Sequence, residues 1–189
     1  MAKPTGVTKI DLLAAAKQCL VDKGIEKFTL KAVAEQAGVT QGTIYYHFKT
    51  KEQILLDIIQ SICENTWNDL LANEEKLITT ALQSAKARYE NKDFYRLFLN
   101  LIVIGLNNPS IKKQIGKILL NENEQLFLIL SKLWDKSPIE GVSIYTWSIF
   151  INALIDGIAM QFVMNDEFPV DLFYEELEKI LKTLYLLGK

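Results

Sequence analysis

Histidine, cysteine, arginine and proline are all scarce in this chain of 189 residues, and each scarcity removes a class of function. The single histidine, His47, lacks the companions that a zinc site or a Ser-His-Asp triad requires. The two cysteines, Cys19 and Cys63, lie far apart on segments that read as helices, with no CxxC spacing. They are expected to be reduced, buried and apolar. Four prolines and nine glycines are too few for a loop-rich all-β chain, and a hydrophobic content of 49% is too high for disorder. No glycine-rich phosphate loop and no nucleophile-base pair is present, so an enzyme has no support, and no metal or cofactor is expected. The only arginines, Arg88 and Arg96, fall in the second part of the chain, where surface pairing is favoured over contact with an anionic ligand.

Long uninterrupted apolar runs are also missing. The run from Phe98 to Leu106 is short, and that from Trp147 to Val163 is interrupted by Asn152, Asp156 and Gln161. Both are read as buried helices and not as lipid-facing spans, so no membrane partner is expected. The opening residues lack the apolar core of a signal peptide, which makes the cytoplasm the expected compartment.

What is present is helical punctuation and an uneven charge. Residues 1–51 hold eight lysines against four acids, and residues 52–189 hold thirteen lysines and arginines against nineteen acids. A positive front end suggests contact with a polyanion. A first helix is expected from Thr8 to Lys23, with Ile10, Leu13, Ala16 and Leu20 on one stripe and Gly24 as a left-handed cap. Thr29, Thr40 and Thr50 stand where N-caps belong, with Phe28 and Val33 placed as a hydrophobic staple and Gln53 completing a capping-box pattern after Thr50. Later helices are longer, with breaks expected near Asn73, Asn91, Asn107-Asn108-Pro109, Ser137-Pro138 and Asn165 to Pro169.

Residues Thr29 to Phe48, TLKAVAEQAGVTQGTIYYHF, have the layout of a helix-turn-helix. Ala34 is small where two short helices cross, Gly38 can take the positive φ of the turn, and Val33, Val39 and Ile44 face inward. The outward set on the next helix is Gln41, Gly42, Thr43, Tyr45, Tyr46 and His47, able to meet base edges and phosphates. Gly42 leaves room for close backbone approach. Lys49 and Lys51 follow at the start of a fourth helix, whose free amides suit a phosphate.

Residues 9–56, above all VAEQAGVTQGTIYYHFKTKEQIL, resemble the DNA-binding domain of the TetR family of bacterial regulators. The resemblance implies an all-α fold of about nine helices: a three-helix helix-turn-helix DNA-binding domain over residues 1–51, then a helical ligand-binding and dimerisation domain over residues 52–189. It implies that Gln41 and Thr43 face bases and that Thr40, Tyr45, Tyr46, His47 and Lys51 contact phosphates or position the helix, with Lys49 a weaker candidate. ALIDGIA, from Ala153 to Ala159, resembles the family's usual penultimate helix, which pairs with the last helix across a dimer. Ala153, Asp156, Gly157, Phe173, Leu177, Leu181 and Leu184 are therefore the candidate dimer interface. No ligand residue carries over by motif. Trp67, Phe98, Trp134 and Trp147 are candidates to line an apolar pocket, although aromatics at helical spacing more often fill a core.

The function so implied is a repressor that binds a palindromic operator in double-stranded DNA as a homodimer and is released by a small molecule, which the composition of the body suggests is apolar or amphipathic. The alternative is a helical ligand-binding or adaptor protein without DNA affinity.

Overall fold

The computed structural model describes residues 6–71, 78, 81–83, 85–86 and 92–189. The expected breaks at Asn73 and Asn91, and Arg88, lie outside the described residues. Every regular element among the described residues is a helix.

Helix α1 covers Lys9–Lys27 and starts from a complete capping box. The Asp11 N–H donates to Thr8 Oγ1 at 3.2 Å, and Asp11 Oδ2 accepts the Thr8 N–H at 2.9 Å. The Thr8 side-chain hydrogen bond, seconded by the Thr8 backbone, holds the Asp11 carboxyl below its ordinary pKa. Two expectations need correction here. Ile10 is 80% exposed, because the buried stripe is Leu12, Ala16 and Cys19, turned from the one expected. Gly24 does not cap a left-handed end: its φ of 71° and ψ of 168° make a kink that only glycine takes easily, and helical turns resume to Lys27.

Helices α2 (Leu30–Ala37) and α3 (Gln41–Phe48) are short and held by their caps and undersides. Thr29 Oγ1 accepts the Ala32 N–H at 3.0 Å, Thr40 Oγ1 accepts the Thr43 N–H at 3.2 Å, and both staple residues, Phe28 and Val33, are fully buried. Gly38 is left-handed at φ 65° and ψ 29°, and the next N–H, of Val39, donates to Ala34 O at 3.0 Å. This is the turn that the glycine was expected to make.

Helix α4 covers Lys51–Leu71. Thr50 caps it, accepting the Gln53 N–H at 3.1 Å, but the capping box is incomplete: the Gln53 amide donates to Asp57 Oδ1 at 2.7 Å, one turn ahead, instead of turning back. Four α4 residues, Ile54, Leu55, Ile58 and Ile59, are buried in the same cluster as Phe28, Val33, Ile44 and Phe48, and the cluster continues through Leu97 and Leu101 to Tyr174 and Leu177. The core is thus continuous across residue 51.

Helices α5 (Lys92–Asn107), α6 (Pro109–Leu133), α7 (Ile144–Met164) and α8 (Val170–Leu187) follow, and their ends fall at the three later breaks that the sequence marks. A Cβ on Gly105 would stand 2.9 Å from Ile115 Cδ1, so that glycine lets α5 lie close to α6. A second cluster gathers Trp67, Leu126, Ile129, Leu130, Trp134, Trp147 and Ile151.

The run expected as a buried helix at Trp147 to Val163 is buried on one side only. Trp147, Ser148, Ile151, Ile158 and Ala159 face the subunit interior, whereas Ile149, Phe150, Met160 and Met164 are exposed. By length and composition α7 could cross a membrane, but its packing against α5 and α6 makes it a core helix with an uncovered face. The shorter run also differs from expectation: Phe98 and Leu101 are buried, but Val103 and Leu106 are exposed. On α8, Tyr174 and Leu177 are buried while Leu172, Ile180 and Leu187 are exposed.

Phe28 closes the junction of α1, α2 and α4, so Phe28→Ala should lower stability by about 3 to 5 kcal/mol, as for other fully buried phenylalanines. Urea unfolding followed by circular dichroism measures it; a loss under about 1 kcal/mol would mean the junction repacks without cost.

Candidate nucleic-acid interface and interior cavity

Helix α3 is anchored from beneath by Ile44 and Phe48, four residues apart and both buried. That anchoring decides what its other face presents. Gln41, Gly42, Tyr45 and Tyr46 are exposed, Tyr46 at 73%, and Thr43 and His47 are half-buried. Two adjacent large tyrosines left in water give the subunit nothing in packing, which suits a face made to meet another molecule. Within the subunit a Cβ on Gly42 would meet only Thr40 Oγ1, at an ordinary 3.6 Å, so no internal contact requires glycine there. Thr40 and Thr43 share a hydroxyl-hydroxyl hydrogen bond of 3.0 Å, which orients both at the helix start. The His47 ring packs edge-on to Tyr46 at 5.1 Å between centroids.

The two lysines are placed differently in the free protein. Lys49, the weaker candidate, caps α3 with the positive φ of 66° that non-glycine residues rarely adopt. Its N–H donates to Tyr45 O at 3.0 Å, and its ammonium lies 5.4 Å from the ring centroids of both Tyr45 and Tyr46. It therefore adds a positive charge directly beside the tyrosine face. Lys51 turns inward: Nζ donates to Ile25 O at 2.9 Å, half-buried and 6.0 Å from the Phe28 ring. Ile25 O also accepts the Phe28 N–H at 3.4 Å, so Lys51 adds a second bond at the end of α1, a partner that sequence spacing does not show.

Two further ties between α1 and α4 are invisible in the sequence. Lys9 Nζ lies 2.6 Å from Asp57 Oδ2, and Lys17 Nζ donates to Ser61 Oγ at 2.8 Å. With Lys51, three lysines of the basic front end are engaged internally, so its positive charge is partly structural.

Of the four aromatics proposed for a pocket, the structure brings together two. Trp67 and Phe98 line a small interior cavity with Phe94, Tyr95, Glu122 and Asp156. Trp134 and Trp147 do not line it; they pack edge-to-face at 5.8 Å in the second core cluster, where the Trp147 indole N–H donates to Ser137 Oγ at 3.1 Å. Both are core residues. Glu122 was missed by sequence reading. It stands in an Asn-Glu-Asn-Glu run that looks solvated, yet it shares the spacing of Ile115, Leu119, Leu126 and Ile129, and is 8% exposed. That spacing was the available signal.

The candidate interface residues also separate. Ala153 is exposed and Gly157 half-buried, and a Cβ on Gly157 would meet nothing within 4 Å, so neither small residue serves packing inside the subunit. Asp156 borders the interior cavity instead, and Asn152 beside it donates to Asn123 Oδ1 at 2.8 Å. Leu177 is buried in the chain's own core, which corrects its placement at a dimer surface; Phe173, Leu181 and Leu184 are half-buried at the core's margin.

A family model described as bacterial regulatory proteins, tetR family, matches residues 12–58. The chain is 30% identical over 71 residues to the HTH-type transcriptional repressor KstR2 of Mycolicibacterium smegmatis, a stretch of 38% of this chain and 33% of that protein. Matches to the first curated relatives span only a quarter to a third of their lengths. The fatty acid metabolism regulator protein of Bacillus subtilis matches at 26% identity over 167 residues, 84% of each chain. Among solved structures, the fatty acid degradation regulator FadR from Bacillus halodurans superposes with a TM-score of 0.67 at 20% identity, covering 92% of this chain and 97% of the other. That likeness extends the shared fold over the whole body.

The geometry separates the two lysines experimentally. Lys51→Ala should cost about 1 to 3 kcal/mol of stability, the range for a hydrogen bond to a charged group. Lys49→Ala should instead lower the salt dependence of DNA affinity by about one unit in the logarithmic slope. Denaturation and binding titrations at several salt concentrations read the two effects; equal behaviour of both variants would contradict the assignment.

Proposed function

We propose that this chain, whose residues 12–58 match the tetR family model of bacterial regulatory proteins, is a ligand-responsive repressor of that family that grips a palindromic operator as a homodimer and is released by an apolar or amphipathic effector. Residues 1–51 would carry DNA recognition, and residues 52–189 effector binding and dimerisation, in the cytoplasm where the operator lies. The observation that carries the reading is the solvent-exposed Gln41, Tyr45 and Tyr46 face of α3, with Lys49 beside it, on a helix fixed from below by Ile44 and Phe48. An eight-residue helix so held can enter a major groove with its side chains already oriented.

Dimerisation is supported by what α7 and α8 leave uncovered. Ile149, Ala153, Met160 and Met164 follow one face of α7, and Leu172, Ile180 and Leu187 are bare on α8. Apolar area of this kind stabilises association by roughly 25 cal/mol per Å² when covered. The small Ala153 and Gly157 would let a second helix approach closely. A two-fold dimer places its recognition helices on half-sites about one helical turn, roughly 34 to 36 Å, apart.

Selection of random duplexes by the purified protein should enrich a palindrome, and Gln41→Ala should change the preferred base at one position in each half-site. Failure of any duplex to be enriched, with and without candidate effectors, would favour a ligand-binding or adaptor protein. Ile149→Arg places a charge on the uncovered face without touching the core. It should give a folded monomer by light scattering and lower operator affinity at least tenfold, whereas a dimer of unchanged strength would move the interface elsewhere.

A further inference from the structure

Helix α6 points its N-terminus toward the end of the subunit that carries α3. Its early residues Ile111 and Ile115 belong to the core cluster that holds Ile44 and Phe48, and its late residues Leu126, Ile129 and Leu130 belong to the second cluster with Trp67. The Trp67 Nε1–H donates to Glu122 Oε1 at 2.6 Å, and an open groove between α4 and α6 is lined by Leu56 and Trp67 on one side and Gln114 and Gln125 on the other. The two helices therefore run side by side in the same direction. Lys113 stands nine residues before Glu122, and Lys51 sixteen before Trp67. At about 1.5 Å of rise per residue, the head of α6 lies roughly 10 Å behind the first turn of α4.

The charges at this head run against the physics of helices. Cations are unfavourable at a helix N-terminus, where the backbone amides leave a positive partial charge. Helices α1, α4 and α8 carry Asp11, Glu52 and Asp171 in their first turns, whereas α6 has no acid there and holds Lys112. Lys113 follows, and Lys117 stands four residues beyond it, the spacing at which like charges repel on one helix face. Residues 94–121 include Arg96 and these three lysines but no aspartate or glutamate. All three lysines are exposed and none forms an ion pair among the described residues, whereas Lys9, Lys179 and Lys182 do. A local arrangement that costs the fold and gains nothing within the subunit marks a place kept for a partner.

We propose that the head of α6, through Lys112 and Lys113 with Lys117 behind them, is a second DNA-contacting edge, which holds phosphates beside the half-site that α3 reads and carries no sequence information itself. The choice of partner rests on the regulator reading. The setback from the first turn of α4 is spanned by a lysine side chain and one Debye length, about 8 Å at physiological salt. Position favours a duplex over an anionic membrane surface. At the same end of the subunit the α7–α8 turn exposes Asp166 and Glu167, since Phe162, Val163 and Phe168 around it pack against the first cluster. A flat anionic surface meets both corners and is repelled by the acidic one, whereas a duplex is a narrow rod that can lie along the basic corner alone.

Binding of the enriched duplex and of a random-sequence duplex is titrated at several salt concentrations with the full chain and two variants whose folding is checked by circular dichroism. The double variant Lys112→Gln, Lys113→Gln removes two cations per subunit. It should weaken both duplexes about tenfold, flatten the logarithmic salt slope of the dimer by about two to four units and leave the preferred bases unchanged. Lys136→Glu makes the same change in net charge just past the other end of α6, and should leave the slope where it was. An unchanged slope in the double variant, or an equal fall in Lys136→Glu, would overturn the proposal. So would loss of binding to phosphatidylglycerol vesicles without loss of duplex binding, which assigns the lysines to a membrane. The enriched duplex bound with equal slope by the original chain and the double variant sinks this edge and leaves the regulator reading standing, whereas no duplex bound by the original chain sinks both.

Discussion

Everything in this molecule depends on α4 being one unbroken helix of 21 residues shared by two neighbourhoods. Such a helix spans roughly 30 Å, about the width of a small domain. Its first turns bury Ile54, Leu55, Ile58 and Ile59 under α1 and α3, and its last turns carry Cys63 and Trp67 to the cavities. Because the core is continuous across residue 51, the recognition helix has no hinge of its own on which to move independently. A displacement of α4 is inherited by α1 and α3 through packing, and the Lys9–Asp57, Lys17–Ser61 and Lys51–Ile25 contacts fix the register of that inheritance. Allosteric coupling typically amounts to about 1 to 3 kcal/mol, comparable to one or two such contacts, so on the proposed reading no large rearrangement would be required to carry it.

Shortness is the second constraint. Helices of eight residues are not stable alone in water, and α2 and α3 persist because their caps and undersides are complete. Thr29 and Thr40 satisfy the starts, Gly38 makes the turn, and Val33, Ile44 and Phe48 supply the burial. Gln41, Tyr45 and Tyr46, whose side chains are exposed, are those free of any such duty.

This division explains which features were legible in the sequence. Caps and turns are local: Thr29, Thr40, Thr50 and Gly38 act on backbone within a few residues, so their roles follow from spacing alone. Features that depend on a distant partner were not legible. Ile10 and Leu12 are both apolar, and only the position of α4 decides that Leu12 is the one covered. Lys51 read as a free cation because Ile25 O, 26 residues away, becomes its neighbour only once α1 and α4 pack together. Trp134 and Trp147 read like Trp67; the difference is that the first two face each other and the third faces a void. Leu177 and Ile180 lie on adjacent rows of one helix, so a stripe drawn from sequence cannot tell the face turned to the subunit core from the face turned outward.

Helix α7 completes the mechanical argument, because it too faces two ways. Its inner side brings Asn152, Ile155 and Asp156 to the cavity that α4 lines from the opposite side with Ile59, Cys63 and Trp67. Its outer side carries Ile149, Ala153 and Met160, the face proposed to meet a second subunit. The cavity is therefore flanked by the helix bound to the DNA-binding end and by the helix proposed to lie at the dimer axis. On the proposed reading, a molecule entering between them would act on the separation of α4 from α7, and in a symmetric dimer that separation would be added twice between the two α3 helices. With half-sites fixed by the pitch of DNA at roughly 34 to 36 Å, small movements of α4 relative to α7 would then be enough to put the two helices out of step with the grooves.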